Sequence, residues 1–94
     1  AEEVENLVYM LPAVAQCAAI AVPDAKVNER VCVCAVLRAG ATVTLDDIER
    51  LFEERGVARF KTPERLEILE ALPLTNVGKI DKGALRQLLA VGKI

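Results

Sequence analysis

Apolar positions along the chain switch several times between a helical and a strand-like period. Val4, Leu7, Val8 and Leu11 fall at i, i+3, i+4 and i+7, one face of a helix that Pro12 stops. Glu2, Glu3 and Glu5 crowd its first turn, where the helix dipole favours negative charge. Val14 to Val22 is an Ala-rich apolar run between Pro12 and Pro23, too short for a typical helix, and it reads as a strand. Residues 23–29 form a turn by composition, with Asp24 and Asn28 able to bond their own backbone. Arg30 to Leu37 is apolar on both faces, which predicts a central strand covered on both sides. So short a link between the two strands suits an antiparallel hairpin, because a parallel crossover needs more chain.

Thr44-Leu45-Asp46-Asp47 then offers an N-cap with a carboxylate three residues on, a variant of the capping box. Ile48, Leu51 and Phe52 make the buried stripe of the helix that follows, with Arg55 in its last turn and Gly56 as its C-cap. Residues 57–61 link it to Pro63, which pushes Thr62 into an extended conformation. Leu66, Ile68 and Ala71 or Leu72 supply a third strand with Glu67 and Glu70 on its wetter side, and Pro73 ends it. Asp81 caps a last helix whose stripe is Ala84, Leu85, Leu88 and Leu89. The order predicts an α+β fold, a small sheet of about three strands flanked by helices.

Composition narrows the chemistry. The 94 residues suit one domain, and 53% hydrophobic with 28% charged residues is the balance of a folded one. The net charge of -2 gives no basic face for nucleic acid. No apolar run is long enough to span a membrane, and no basic stretch precedes an apolar one as in a secretory signal. The chain opens on Ala1-Glu2-Glu3-Val4, already in a helical pattern, and so reads as a piece of a longer protein. Cys17, Cys32 and Cys34 lack C-x-x-C spacing, and with no His neither a zinc site nor a Ser-His or Cys-His nucleophile is expected. The three thiols read as buried small hydrophobes in a reducing, cytoplasmic setting. Any chemistry falls to Lys, Arg, Asp, Glu or backbone groups.

A polar, glycine-containing loop that carries a lysine and is held between a strand and a helix is Pro73-Leu74-Thr75-Asn76-Val77-Gly78-Lys79-Ile80-Asp81-Lys82. A phosphate loop of the Walker type fails here: Pro73 stands where its first glycine belongs, and Ile80 follows Lys79 in place of Ser or Thr. What remains is a lysine beside a glycine, a compact cation with three donors that can stabilise a developing anionic oxygen.

The pattern Pro73-x-Thr75-x-x-Gly78-Lys79-Ile80-x-Lys82-x-x-Leu85-Arg86 resembles the last signature of the adenylate-forming superfamily. That superfamily comprises acyl-CoA synthetases, aryl-acid AMP ligases, nonribosomal-peptide adenylation domains and beetle luciferases. Ala1 to Glu5 resembles the helix after its hinge, and Leu11-Pro12-Ala13-Val14 resembles its HPAV turn with Leu11 in place of His. Val22-Pro23-Asp24 and Glu29-Arg30-Val31 resemble its hairpin, with Asn28 where Gly is usual; Phe60-Lys61-Thr62-Pro63 resembles its YK-x-P element.

The resemblance implies that residues 1–94 are the C-terminal subdomain of an enzyme whose large N-terminal domain is its partner and holds ATP, Mg2+ and the acid. Lys79 would serve adenylation, with Gly78 and Thr75 shaping its loop, and no cofactor or metal is expected tightly bound to these residues alone. Phe60 and Lys61 are candidate contacts for CoA or pantetheine, Phe60 being equally readable as a packing aromatic. Thr62 and Glu64 stand where some CoA ligases place basic phosphate contacts, a role left to Arg59, Lys61 or Arg65. Lys82 is expected to be solvated. The main expectation is an acid–thiol ligase of the acyl-CoA synthetase type, acting on fatty acids with CoA as acceptor. The alternatives are an aryl-acid or amino-acid AMP ligase delivering to a carrier protein's phosphopantetheine, and a non-catalytic interaction domain.

Overall fold

A computed structural model of the chain describes residues 2–24 and 28–92. Its elements are α1 (Glu2–Val8), β1 (Val14–Asp24), β2 (Asn28–Leu37), α2 (Leu45–Glu54), a 3-10 turn (Arg59–Lys61), β3 (Arg65–Ile68) and α3 (Lys82–Ala90). The strands form one sheet in the order β1-β2-β3, with β1 antiparallel and β3 parallel to β2. The α+β architecture is the one expected, and β2 is indeed the central strand. The chain between β2 and β3 carries α2, as a parallel connection requires.

The two faces of the sheet are both dry, which is why β1 and β2 read as continuous apolar runs. Cys17, Ala19, Val33 and Ala35 point to Val4 and Val8 of α1 and to Ile48 and Phe52 of α2. Their alternates Ala18, Ile20, Cys32 and Cys34 point to Leu72 and to Leu85 and Leu89 of α3. Small Ala and Cys side chains along both strands leave room for helices on either side. The capping box at α2 forms as expected: Thr44 Oγ1 accepts from Asp47 N at 3.2 Å, and Asp47 Oδ2 accepts from Thr44 N at 2.9 Å.

Several expectations are corrected. Helix α1 ends at Val8 rather than at Pro12, and Leu11 packs against the core from the following turn. The hairpin is longer than expected: β1 runs through Pro23, which pairs with Glu29, and Asp24 pairs with Asn28. Pro is tolerated there because β1 is an edge strand. The middle of the expected turn, residues 25–27, lies outside the described residues. Strand β3 is only four residues long and stops at Ile68, well before Pro73. Its expected sidedness also fails at the end, where Ile68 is 46% exposed. Glu67, by contrast, is half-buried and receives Arg65 Nη2 at 3.0 Å. No helix among the described residues is long and apolar enough to cross a membrane.

Candidate functional site

Leu72 is buried against α3 and Ile80 packs on the same cluster, so the two ends of the loop are anchored in the core. Between them the chain folds back on itself. Pro73 O accepts from Asp81 N at 2.8 Å, Leu74 and Ile80 form an antiparallel bridge, and Thr75 N donates to Lys79 O at 2.7 Å. Gly78 N donates to Thr75 O at 3.0 Å, and Gly78 has φ of 82°, the left-handed conformation that closes a three-residue hairpin loop. The Thr75 hydroxyl accepts from Lys79 N at 3.3 Å. Thr75 and Gly78 thus shape the loop, and Lys79 leaves its tip into solvent with no carboxylate paired to it among the described residues. Asp81 Oδ1 accepts from Ala84 N at 3.0 Å, the expected cap, so loop and α3 are joined without slack.

The second pair of candidates lies on the 3-10 turn. Phe60 is 81% exposed and so does not pack in the core of the described residues. Lys61 Nζ lies 5.9 Å from the centre of the Phe60 ring and 3.3 Å from Glu3 Oε2. These side chains border a cavity of about 250 Å³ whose wall includes Val4, Ala21 and Val31 and no residue of the Lys79 loop. The sheet keeps the two candidate groups apart. Of the three substitutes for a phosphate contact, Lys61 is paired with Glu3 and Arg65 with Glu67, whereas Arg59 is exposed beside Phe60; Glu64 lies 3.7 Å from Arg30 Nε.

Sequence reasoning missed Glu5. Counted only as a first-turn charge, it has a side chain 17% exposed, and its Oε2 accepts from Ala19 N at 2.8 Å and from Lys82 Nζ at 2.7 Å. Lys82, expected to be solvated, is therefore the far half of an ion pair. No sequence period marks such a contact, since it depends on α1 lying along the edge of β1. All three cysteines are free and buried, as expected. Burial, helped by the nearby Glu5 carboxylate, pushes the Cys17 thiol up to about 11. The hydrogen bond to Cys34, with burial, pushes Cys32 up as well. Among the described residues no group of His, Cys, Asp or Glu side chains could hold a metal ion.

The chain belongs to the family described as AMP-binding enzyme C-terminal domain, whose model matches residues 3–79. It is 47% identical over 89 residues to a salicylyl-CoA synthase / salicylate adenylyltransferase of Streptomyces sp, covering 95% of this chain and 16% of that protein. A salicyl-AMP ligase / salicyl-S-ArCP synthetase of Mycobacterium tuberculosis is 40% identical over 96 aligned positions, covering 100% of this chain and 17% of the relative. The apo structure of MbtA from Mycobacterium smegmatis superposes with a TM-score of 0.86 at 37% identity, over 93% of this chain and 16% of that one. The chain therefore spans about a sixth of the length of the relatives it matches.

Proposed function

We propose that this chain is the C-terminal subdomain of an ATP-dependent ligase that activates an aryl acid of the salicylate type, with Lys79 serving the adenylation step. In that reaction the carboxylate oxygen attacks the α-phosphorus of ATP, an acyl C(O)–O–P bond forms, and pyrophosphate leaves. A thiol sulfur then attacks the acyl carbon, and AMP leaves with the electrons of the broken C–O bond. The first step brings two anions together. A cation placed at the reacting oxygens and shielded from water lowers that barrier, and losing one such stabiliser costs about 3 kcal/mol, roughly a hundredfold in rate. The observation that carries the proposal is Lys79 itself: an exposed cation with no carboxylate partner among the described residues, at the tip of a hydrogen-bonded loop with a rigid base. ATP, the acid and any Mg2+ would be held by a large N-terminal domain. Free, buried thiols suit the reducing, ATP-supplied cytoplasm.

The family relatives name aryl acids, which favours the aryl-acid alternative over a fatty-acid acyl-CoA synthetase. Their names include both CoA and a carrier protein as acceptor. The carrier is favoured because Lys61 and Arg65 already face Glu3 and Glu67, which leaves Arg59, exposed beside Phe60, as the remaining one of the three substitutes for a contact to the 3′-phosphate of CoA. The test uses the full-length enzyme and salicylate. Lys79→Ala should lose pyrophosphate–ATP exchange by about a hundredfold or more. Transfer from supplied salicyl-adenylate to a holo carrier protein should persist, and outpace transfer to CoA. Equal loss of both half-reactions would remove Lys79 from adenylation, faster transfer to CoA would restore the CoA reading, and no turnover of any acid would leave an interaction domain.

A further inference from the structure

We infer that Glu5 is a positioning residue for Lys79, acting through Lys82 and the base of the loop; the inference rests on the proposed role of Lys79. Three successive contacts hold the chain that leaves Lys79. Ile80 packs on the cluster around Cys32 and Cys34, Asp81 N donates to Pro73 O at 2.8 Å, and Lys82 Nζ reaches Glu5 Oε2 at 2.7 Å. The first two tie the loop to α3 and the sheet face that α3 covers, and to its own other strand. The third ties it to a different layer, because Glu5 belongs to α1 and the same oxygen accepts from Ala19 N of the edge strand β1.

That edge is otherwise fixed by α1 as well. Tyr9 Oη accepts from Cys17 N at 3.0 Å and donates to Cys17 O at 3.4 Å, so α1 and the turn that follows it cover two successive outward-facing positions of β1. Glu5 is thus seated independently of the loop, and its carboxylate is a fixed point against which Lys82 sets the direction of the loop. The pair differs from an ordinary surface ion pair in that the carboxylate is largely withdrawn from water, 17% exposed, and has a second donor fixing its rotamer. A lysine that must meet reacting oxygens across a closing interface is sensitive to such placement, since a displacement of about 1 Å is worth up to a hundredfold in rate.

Glu5→Gln separates this role from edge coverage, because the amide oxygen still accepts from Ala19 N while the charge is gone. In the full-length enzyme, Glu5→Gln and Lys82→Met should each lower kcat for adenylation by about tenfold. KM for ATP and acid should be unchanged, and transfer from supplied acyl-adenylate should stay within about twofold. The double variant should be no slower than either single one, and Lys82→Arg should retain most of the rate. Loss of both half-reactions together, or additive losses in the double variant, would make the pair merely structural and overturn the inference. So would full adenylation by Glu5→Gln in an enzyme whose Lys79→Ala variant is inactive. If Lys79→Ala itself adenylates normally, the proposed role of Lys79 fails first.

Discussion

Gly78 offers a test of whether loop conformation, rather than the mere presence of a lysine, sets the adenylation rate. Its φ of 82° is unfavourable for any L side chain, yet a Cβ built there meets nothing within 4 Å. Gly78→Ala therefore adds backbone strain without a collision, about 1–2 kcal/mol. The opposing force is small. Three exposed bonds close the loop: Thr75 N to Lys79 O, Gly78 N to Thr75 O and Lys79 N to Thr75 Oγ1. Each contributes about 0.5–1.5 kcal/mol net, the lower end applying where water competes. Strain and closure are thus of the same size, so the closed loop loses much of its population. Adenylation should fall by about threefold to tenfold. Whether the loop stays strained or opens, the cost is about 1 kcal/mol, so the melting transition of this subdomain should fall by about 4–8 °C. Gly78→Asn, which tolerates the left-handed conformation, should recover most of the rate. Pyrophosphate–ATP exchange and thermal melts on the full-length variants measure both quantities. Equal rates for the glycine, alanine and asparagine forms would refute the idea that the hairpin conformation presents Lys79.

Two further predictions concern the scaffold. Thr44→Ala removes the hydroxyl that caps α2 and should cost about 1 kcal/mol, read as a lower urea midpoint at unchanged slope. At alkaline pH the folded state holds the Cys17 proton up to about 11, against 9.0 for a free thiol. The stabilisation is complete below pH 9 and declines as pH rises from 9 to 11, because the unfolded chain loses its proton first. Urea titrations at pH 8 and pH 11 should show a smaller loss for Cys17→Ala than for the parent, and an identical loss in both would place the thiol in water.

Much of the fold was legible because burial on two faces leaves a periodic trace. Val4 and Val8, Ile48 and Phe52, and Leu85 and Leu89 all occupy the stripes that spacing predicts. Caps were legible too, since Thr44 and Asp81 act through neighbours three residues away. The failures occur where a contact is remote in sequence. Strand β3 stops at Ile68 because it pairs with β2 only from Arg65 to Ile68, and nothing local marks that limit. Glu5 and Lys82 look like two surface charges until α1 is laid along β1. The Lys79 loop stood out as a glycine-lysine tip between two elements, but Thr75's part in closing it is a matter of geometry.

The exposure of Lys79 also sets what these residues accomplish alone. An ammonium about 4 Å from an anionic oxygen gains roughly 1 kcal/mol in bulk water and roughly 4 kcal/mol at an effective dielectric near 20. The first figure corresponds to about a fivefold rate effect, and only the second reaches the roughly hundredfold proposed for Lys79. The loop cannot raise its own field, because its flanking apolar side chains, Leu74 and Val77, are 55% and 79% exposed rather than folded over the lysine. A second surface is needed to exclude water around it, and Leu74 and Val77 are the groups that would gain from being covered. For the role proposed for Lys79, these elements supply direction and a rigid mount, while the dielectric that would make the cation effective would have to come from a second surface closing over it.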